Sequence, residues 1–192
     1  MANFNIAYII TLGNEIGYSN DPIDNGGETY NGISRVNEPE WLGWLIIDKA
    51  KKESNFPANL KNYQSELIPL QQDIYKKKYW DIFWGDQIPN QFIANEIFDS
   101  GVNRGIRTTI KYLQRSLNIA NRNQRLYPDI SVDGKFGHHT LTTLNKFLSI
   151  DKPELLYKIM NIMQGSDYIS IMENDPSQEK WIGWFSRIQF IK

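Results

Sequence analysis

Residues 14–34 of this 192-residue chain read NEIGYSNDPIDNGGETYNGIS, and this stretch decides the fold of the first part of the chain. An apolar helical pattern over residues 3–15 leads into it, and Gly17 is predicted to stop that helix. The residues from 19 to 34 are rich in Asp, Asn, Pro and Gly, which favour turns. The stretch therefore predicts a helix followed by a short β-hairpin or an irregular loop region.

Two carboxylic acids in this stretch have different predicted environments. Glu15 lies at the predicted carboxyl end of the helix beside Ile16, and both the helix dipole and an apolar neighbour raise the pKa of a carboxylic acid. Asp24 lies in a loop that water reaches, so we expect it to be ionised and, with Thr29, to hold a water molecule. A protonated acid and an ionised carboxylate across a sugar bond are what glycoside hydrolysis requires. Taken singly, each acid also has a simpler interpretation, a surface Glu and a turn-forming Asp.

Helical periodicity continues through most of the chain, so the predicted fold class is mainly α. The first helix is predicted to present one stripe to the core: Phe4, Ala7, Tyr8 and Thr11. The second is predicted to open at residues 37–39 and to carry Trp41, Leu42, Leu45 and Ile46. Later helices are predicted to be capped by Ser65 and Asn90, and to cover residues 106–120, 139–149, 152–173 and 176–190. Residues 55–64 and 121–137 are predicted loops.

The bulk composition excludes several classes of protein. The chain has no Cys, which excludes disulfides and thiolate zinc sites. Its net charge of −1 gives no strong attraction to nucleic acid or to an anionic membrane. No stretch is long enough to span a bilayer, and the apolar run at residues 6–12 lacks the basic region of a signal peptide. No cofactor is predicted, and the adjacent His138 and His139 make a poor metal site.

The first stretch resembles the signature of glycoside hydrolase family 108, which comprises N-acetylmuramidases often labelled secretion activators or endolysins. The resemblance is carried by Glu15 with residues 16–18, and by residues 20–22, 26–29 and 32–34. The family usually reads Glu-Gly-Gly-Tyr, whereas this chain has Ile16 at the second position and keeps the Glu. The Glu is the catalytic acid of the family, so the resemblance implies that role for Glu15.

The order of Glu15, Asp24 and Thr29 is also similar to the catalytic triad of phage-type lysozymes, whose last spacing is one residue longer. This similarity implies that Asp24 and Thr29 position the attacking water. Asp21 and Tyr30 are rival candidates for the second catalytic residue. The residues predicted to bind substrate are Tyr18, Asp21, Tyr30 and Asn103.

A second motif lies in the later part of the chain. Residues 132–137 read VDGKFG and, with Thr140, are similar to the Asp-Gly-x-x-Gly-x-x-Thr element of peptidoglycan-binding modules. Physically, Asp133 and Gly134 make a tight turn, and the Thr140 hydroxyl can bond the loop backbone or cap the next helix. The interpretation that we favour for these individual residues is a loop-to-helix corner. The resemblance still implies a peptidoglycan-related second region.

The stretch FDSGVNRG at residues 98–105 also looks like family 108 and its associated C-terminal region. In a lysozyme-like fold, Asn103 either bonds the N-acetyl group of a sugar or ends a helix before Gly105. We predict a lysozyme-like catalytic region at residues 1–100 and a helical, peptidoglycan-binding-like region at residues 101–192, packed as one compact unit.

The resemblances span residues 3–190 and imply a mainly α, lysozyme-like hydrolase. Its expected reaction is cleavage of the β-1,4 bond between N-acetylmuramic acid and N-acetylglucosamine in peptidoglycan glycan strands. Two alternatives stay open: a non-catalytic peptidoglycan-binding or secretion-assisting protein, and a lytic transglycosylase, which uses one Glu and no water. Without a signal peptide, the protein is expected to be made in the cytoplasm and to act in the periplasm or cell wall after release by a holin or an export system.

Overall fold

Helices form most of the secondary structure in the computed structural model, which describes residues 1–13, 17–20 and 27–188. The α-helices are α1 (Phe4–Leu12), α2 (Gly43–Ala50), α3 (Gln64–Tyr75), α4 (Gln91–Arg104), α5 (Ile106–Ala120), α6 (His138–Leu148) and α7 (Pro153–Asn174). The strands are β1 (Tyr18–Asn20), β2 (Glu28–Tyr30) and β3 (Ile33–Ser34). Short 3₁₀ helices cover Ala58–Tyr63, Asp81–Phe83, Gly85–Gln87 and Pro176–Arg187, and a π-helix covers Lys76–Trp80.

Helix α1 buries the stripe predicted from its sequence, Phe4, Ala7, Tyr8 and Thr11, together with Leu12. The helix ends at Leu12, where the Gly13 N–H donates to the carbonyl of Ile9 at 2.8 Å. The prediction that Gly17 stops the helix is therefore wrong, since that residue takes part in the sheet connection instead.

The three strands form an antiparallel sheet in the order β1-β2-β3. Tyr18 lies opposite Tyr30 in the first pair, and Thr29 lies opposite Ser34 in the second. The connection between β2 and β3 is the two-residue turn at residues 31–32, where the φ angles are +46° and +81°. Positive φ at both positions of an Asn-Gly turn is typical of a type I′ hairpin, whose twist matches that of the strands. The short β-hairpin predicted after the first helix is confirmed.

Helix α2 begins later than the sequence predicted. The start was expected at residues 37–39, but the chain makes turns until Gly43. The indole N–H of Trp44 donates to the carbonyl of Glu38 at 2.7 Å, which holds the intervening residues out of the helix. Helix α2 buries Trp44, Ile47 and Ala50, while the predicted Leu42 and Leu45 are exposed.

Most of the remaining helices agree with the sequence pattern, but the last predicted helix, at residues 176–190, is instead the 3₁₀ helix at Pro176–Arg187. Asn90 caps α4 as predicted, because its side-chain oxygen accepts the Ile93 N–H at 3.0 Å. Helices α5, α6 and α7 lie within one residue of their predicted bounds. Ser65 is not a cap, since α3 already starts at Gln64, and the predicted loop at residues 55–64 contains a 3₁₀ helix.

A single hydrophobic core runs through both halves of the chain. Trp80 and Phe98 are fully buried, and the Phe98 ring lies edge-on to Phe4 at 5.7 Å and to Trp80 at 6.1 Å between ring centroids. Helix α4 packs against α1 on one side and against α5 and α7 on the other. The core therefore joins the sheet-bearing part to the later helices.

No helix within residues 1–13, 17–20 and 27–188 combines the length and apolar character needed to cross a bilayer. The described residues also hold no group of three or more His, Cys, Asp or Glu arranged to bind a metal ion.

The Gly85→Ala substitution tests the packing beneath Trp80. A Cβ at Gly85 would lie 2.2 Å from the buried Trp80 ring, which cannot move aside without disturbing Phe83 and Phe98. Overpacking of this kind costs about 1–3 kcal/mol, so we expect the free energy of unfolding in urea to fall by that amount. Gly183→Ala is the control, because a Cβ at the exposed Gly183 meets no atom within 4 Å. Equal stability of the two variants would contradict the packing described.

Candidate active site

The seven residues predicted to form the site fall into two groups. Glu15, Asp21 and Asp24 lie outside the described residues. Tyr18, Thr29 and Tyr30 lie in the sheet, and Asn103 lies near the carboxyl end of α4. The described part of the candidate site is therefore the sheet, the end of α1 and the helix faces around them.

Gly13 and Gly17, the described residues nearest to Glu15 on either side of it in the chain, are both held by hydrogen bonds. On the α1 side, the Gly13 N–H is bonded to Ile9. On the sheet side, the Gly17 N–H donates to the Asn31 side-chain oxygen at 2.6 Å, and the Gly17 carbonyl accepts the Asn31 N–H at 2.8 Å. Two hydrogen bonds to one residue fix both the position and the orientation of Gly17.

Asn31 also ties the hairpin turn to α3. It is buried, and its side-chain N–H donates to the Gln71 side-chain oxygen at 3.0 Å. The Tyr75 hydroxyl donates to the Asn31 carbonyl at 2.9 Å. This close approach requires glycine at the next position, because a Cβ on Gly32 would lie 2.6 Å from the Tyr75 hydroxyl oxygen and the φ there is +81°. Helix α3 thus holds the turn twice, through the side chain of Asn31 and through its backbone carbonyl.

Glu28 forms the centre of an ionic cluster on the sheet that the sequence interpretation did not identify. Its carboxylate lies 2.9 Å from Arg35 Nε and 2.5 Å from Lys51 Nζ, and it accepts the Tyr18 hydroxyl at 3.0 Å. Arg35 also binds Asp48 through two nitrogens, which holds the pKa of the Asp48 carboxyl below its ordinary value. Because two cations balance its charge, Glu28 stabilises the sheet and is not a free carboxylate for catalysis.

Thr29 and Tyr30 are held in different ways. The Thr29 hydroxyl donates to the Gly27 carbonyl at 3.2 Å, which leaves its oxygen able to accept a hydrogen bond. Tyr30 is only 2% exposed and its ring stacks on Trp41 with 6.0 Å between centroids. Burial raises the pKa of the Tyr30 hydroxyl. Both side chains are therefore held in place by these contacts.

Asn103 is bonded to helix α7. Its side-chain oxygen accepts the hydroxyl of Tyr168, which in turn accepts from Gln164 at 2.5 Å. Gly105, with φ at +82°, follows at the end of α4. Helix α4 ends at Arg104 with Gly105 as its cap, so the interpretation of Asn103 as the helix cap is wrong, and binding of a sugar N-acetyl group stays a prediction.

Three cavities surround these elements. A cleft of about 380 Å³ lies between the sheet and α3 and is lined by Ser34, Asn37, Glu38, Tyr75 and Lys78. A second, of about 240 Å³, adjoins the end of α1 at Leu12 and Gly13. A third, of about 420 Å³, adjoins the opposite side of the same helical turn at Ile10 and Thr11. The end of α1, which precedes Glu15, therefore lies between two cavities.

Glu96 is a buried carboxylic acid that the sequence interpretation missed. It lines the third cavity and is 7% exposed. Burial raises the pKa of Glu96 to about 8, the Asn161 side chain partly offsets this by a hydrogen bond, and the nearby Asp99 raises it further. The available signal was its spacing, because Glu96 lies three residues after Ile93 and so falls on the buried face of α4.

The substitution Asn31→Ala tests the anchor of Gly17. It leaves the Gly17 N–H and the buried Gln71 amide without their partner and places Ala at positive φ, so we expect a loss of about 2–4 kcal/mol in the free energy of unfolding. Hydrogen exchange at the Gly17 amide should also become faster. Asn62→Ala, at an exposed position, is the control and should change neither quantity. Unchanged exchange at Gly17 in Asn31→Ala would be inconsistent with the anchor.

The raised pKa of Glu96 predicts how stability depends on pH. Between its ordinary value of 4.5 and about 8, the folded protein binds a proton that the unfolded chain releases. This group therefore stabilises the fold fully at low pH, and its contribution falls by up to about 1.4 kcal/mol per pH unit as the pH rises towards 8. Thermal unfolding of Glu96→Gln should lack this decline, which the wild type and the exposed control Glu40→Gln retain. Parallel pH profiles for all three proteins would contradict the assignment.

Comparisons with known proteins identify two regions. The model of the family described as Glycosyl hydrolase 108 matches residues 8–105, and that described as Predicted Peptidoglycan domain matches residues 108–189. A search of curated proteins finds no match.

Among solved structures, SagA of Brucella abortus is similar with a TM-score of 0.65 and 21% sequence identity, over 96% of this chain and 88% of that chain. At this identity the likeness shows the fold, so the predicted mainly α, lysozyme-like architecture is confirmed. The suspected combination of a glycosidase region with a peptidoglycan-related region is confirmed as well. Because the first match covers half of the chain and includes the anchored sheet and the end of α1, this chain belongs to glycosyl hydrolase family 108 and carries a peptidoglycan domain after its glycosidase region.

Proposed function

We propose that this chain is a lysozyme-type muramidase that hydrolyses the β-1,4 bond between N-acetylmuramic acid and N-acetylglucosamine in peptidoglycan. The observation that carries the proposal is the family match over residues 8–105, which includes the position of Glu15 and every other predicted catalytic position. The peptidoglycan domain that follows supports the glycan strand as the substrate.

Glu15 is the proposed general acid. It protonates the oxygen of the leaving sugar as the glycosidic bond breaks. Support comes from its place in the family signature and from the anchoring of its described neighbours, since Gly13 is bonded to α1 and Gly17 to Asn31.

Asp24, with Thr29, is the proposed pair that directs water to the anomeric carbon. The Thr29 hydroxyl donates its hydrogen bond to the Gly27 carbonyl, so its oxygen can accept a hydrogen bond from a water molecule. Asp21 and Tyr30 remain rival candidates for the second role. A separation of about 6.5–9.5 Å between the two carboxyl groups would give inversion at the anomeric carbon, and about 5 Å would give retention.

The remaining predicted residues are proposed to hold the glycan. Tyr18 is fixed by its hydrogen bond to Glu28 and by an edge-on contact with Phe56 at 4.6 Å. Its ring is partly exposed and so can pack against a sugar. Substrate binding by Asp21, Tyr30 and Asn103 is proposed from the sequence.

We also propose the division into a catalytic region at residues 1–100 and a glycan-holding region at residues 101–192, packed as one compact unit. The shared core and the packing of α4 on α5 and α7 support the second part of this proposal. Action in the periplasm or cell wall, after release by a holin or an export system, is proposed on the basis of the substrate alone.

The Glu15→Gln variant tests the proposed reaction. Loss of a general acid lowers the rate by about 10²–10⁴-fold, so we expect clearing of a peptidoglycan zymogram and release of reducing sugar ends to fall by that factor. The matched control is Glu40→Gln, which makes the same chemical change at an exposed carboxylate and should keep full activity.

The outcomes separate the alternatives. Full activity in Glu15→Gln would rule out Glu15 as the acid. Binding to insoluble peptidoglycan without release of reducing ends by the wild type would favour a non-catalytic wall-binding protein. Anhydro-muramic acid products would identify a lytic transglycosylase.

A further inference from the structure

Helix α7 has an exposed face that carries an apolar stripe. Leu155, Ile162 and Ile169 follow one another at intervals of seven residues, so they lie along one line on the helix surface. Their exposed fractions are 39%, 60% and 49%, whereas α7 packs against α4 and α5 through its opposite face. The outer face of a surface helix is ordinarily polar, so this stripe indicates a surface that binds a partner.

Two charged side chains lie at the two ends of the stripe. Lys158 lies one turn before Ile162, Glu173 lies one turn after Ile169, and both are exposed. Neither side chain makes an ion pair or a hydrogen bond with any residue in 1–13, 17–20 or 27–188. The two charged residues lie about 22 Å apart along the helix axis, at about 1.5 Å per residue. One cation and one anion are thus available to a partner outside the described chain.

These residues are placed symmetrically about one point on α7. The midpoint between Lys158 and Glu173 falls between residues 165 and 166, and the midpoint between Ile162 and Ile169 falls at the same place. A second α7 that runs antiparallel across this point places the partner's Ile169 on Ile162 and the partner's Glu173 beside Lys158. Each pair forms twice, because a two-fold contact uses the same surface of both copies. A parallel second helix would instead bring like charges together.

The same charges disfavour a membrane surface as the partner. Helices that lie on anionic bilayers are rich in Lys and Arg on their polar face. The exposed residues of α7 include one cation, Lys158, and one anion, Glu173, so this face has no net charge to attract an anionic surface. A second copy of the same face matches both the apolar stripe and the opposite charges at its ends.

We propose that two copies of this chain associate through antiparallel packing of their α7 faces. The side chains of Ile162 and Ile169 form the apolar centre of the contact, and the pairs of Lys158 with Glu173 set its direction. One helix from each copy gives a small interface, so we expect weak association, with a Kd in the micromolar range. Helix α7 lies in the peptidoglycan domain, and no residue proposed for catalysis lies on it, so the pair carries two glycosidase regions.

Sedimentation equilibrium of the full chain tests this surface. The average mass should rise from 22.4 kDa towards twice that value as the concentration is raised through the micromolar range. Ile162→Glu places a charge against the partner's Ile169, so we expect the Kd to rise at least about tenfold. Ile119→Glu is the matched control, because Ile119 on α5 is 59% exposed, against 60% for Ile162, and this variant should associate like the wild type.

Exchange of the two charges tests the antiparallel arrangement. Lys158→Glu places two carboxylates together at each end of the contact, and Glu173→Lys places two ammonium groups there. Each variant alone should have a Kd about three- to tenfold above that of the wild type, since exposed ion pairs contribute little individually. An equimolar mixture of the two variants should regain the wild-type Kd, because both charge contacts of the mixed dimer again join opposite charges.

Three results would overturn the inference. They are a mass of 22.4 kDa at every concentration, an equal loss of association in Ile162→Glu and Ile119→Glu, and a mixture of the charge variants that associates no better than either variant alone. Binding to vesicles of anionic phospholipid that is lost in Ile162→Glu, while the free chain stays monomeric, would assign the face to a membrane instead. All four substitutions are at exposed positions, so the Tm of each variant should equal that of the wild type.

Discussion

The hydrogen bonds of Asn31 are the constraint on which the candidate site depends. One buried side chain bonds Gly17, just before β1, and Gln71 on α3, and the backbone carbonyl of the same residue accepts the Tyr75 hydroxyl. The sheet is small and three strands of two or three residues have little stability of their own. Asn31 therefore attaches both the sheet and Gly17, two residues after Glu15, to helix α3. The ionic cluster around Glu28 adds a second attachment, to α2 through Asp48.

The two matched regions share one core, and this changes what the peptidoglycan domain can do. Arg104 at the end of α4 binds Asp167 on α7 at 3.1 Å, and the Tyr112 hydroxyl of α5 donates to the same carboxylate. Arg187 reaches back to Asp99 on α4. Polar contacts at such a junction fix the relative position of the helices, because a misplaced partner leaves a charge unpaired. A domain held in this way keeps a fixed position beside the glycosidase region, whereas a domain on a flexible linker can only raise the local concentration of enzyme at the wall.

The fold was largely predictable from the sequence, because most of its signals are local. The Asn90 cap and the spacing of apolar residues located α4 to α7, and the turn-forming residues located the hairpin. The start of α2 was not predictable, since it depends on the indole of Trp44 reaching the carbonyl of Glu38. The candidate site was only partly predictable. Motif positions marked Thr29 and Tyr30, but the roles of Asn31, Glu28 and Glu96 arise from partners 40, 23 and 65 residues away, at Gln71, Lys51 and Asn161. The Asn-Gly turn at residues 31–32 was the one local signal that could have identified Asn31 as the residue that joins these elements.

The proposed hydrolysis of glycan strands leaves new N-acetylmuramic acid ends. The most direct measurement is mass spectrometry of purified peptidoglycan after digestion by the full chain and reduction with borohydride, which labels each newly formed reducing end. The proposed muramidase reaction predicts reduced N-acetylmuramic acid in the wild-type digest and its absence with Glu15→Gln. Reduced N-acetylglucosamine ends, anhydro-muramic acid ends or no new ends in the wild-type digest would each contradict it.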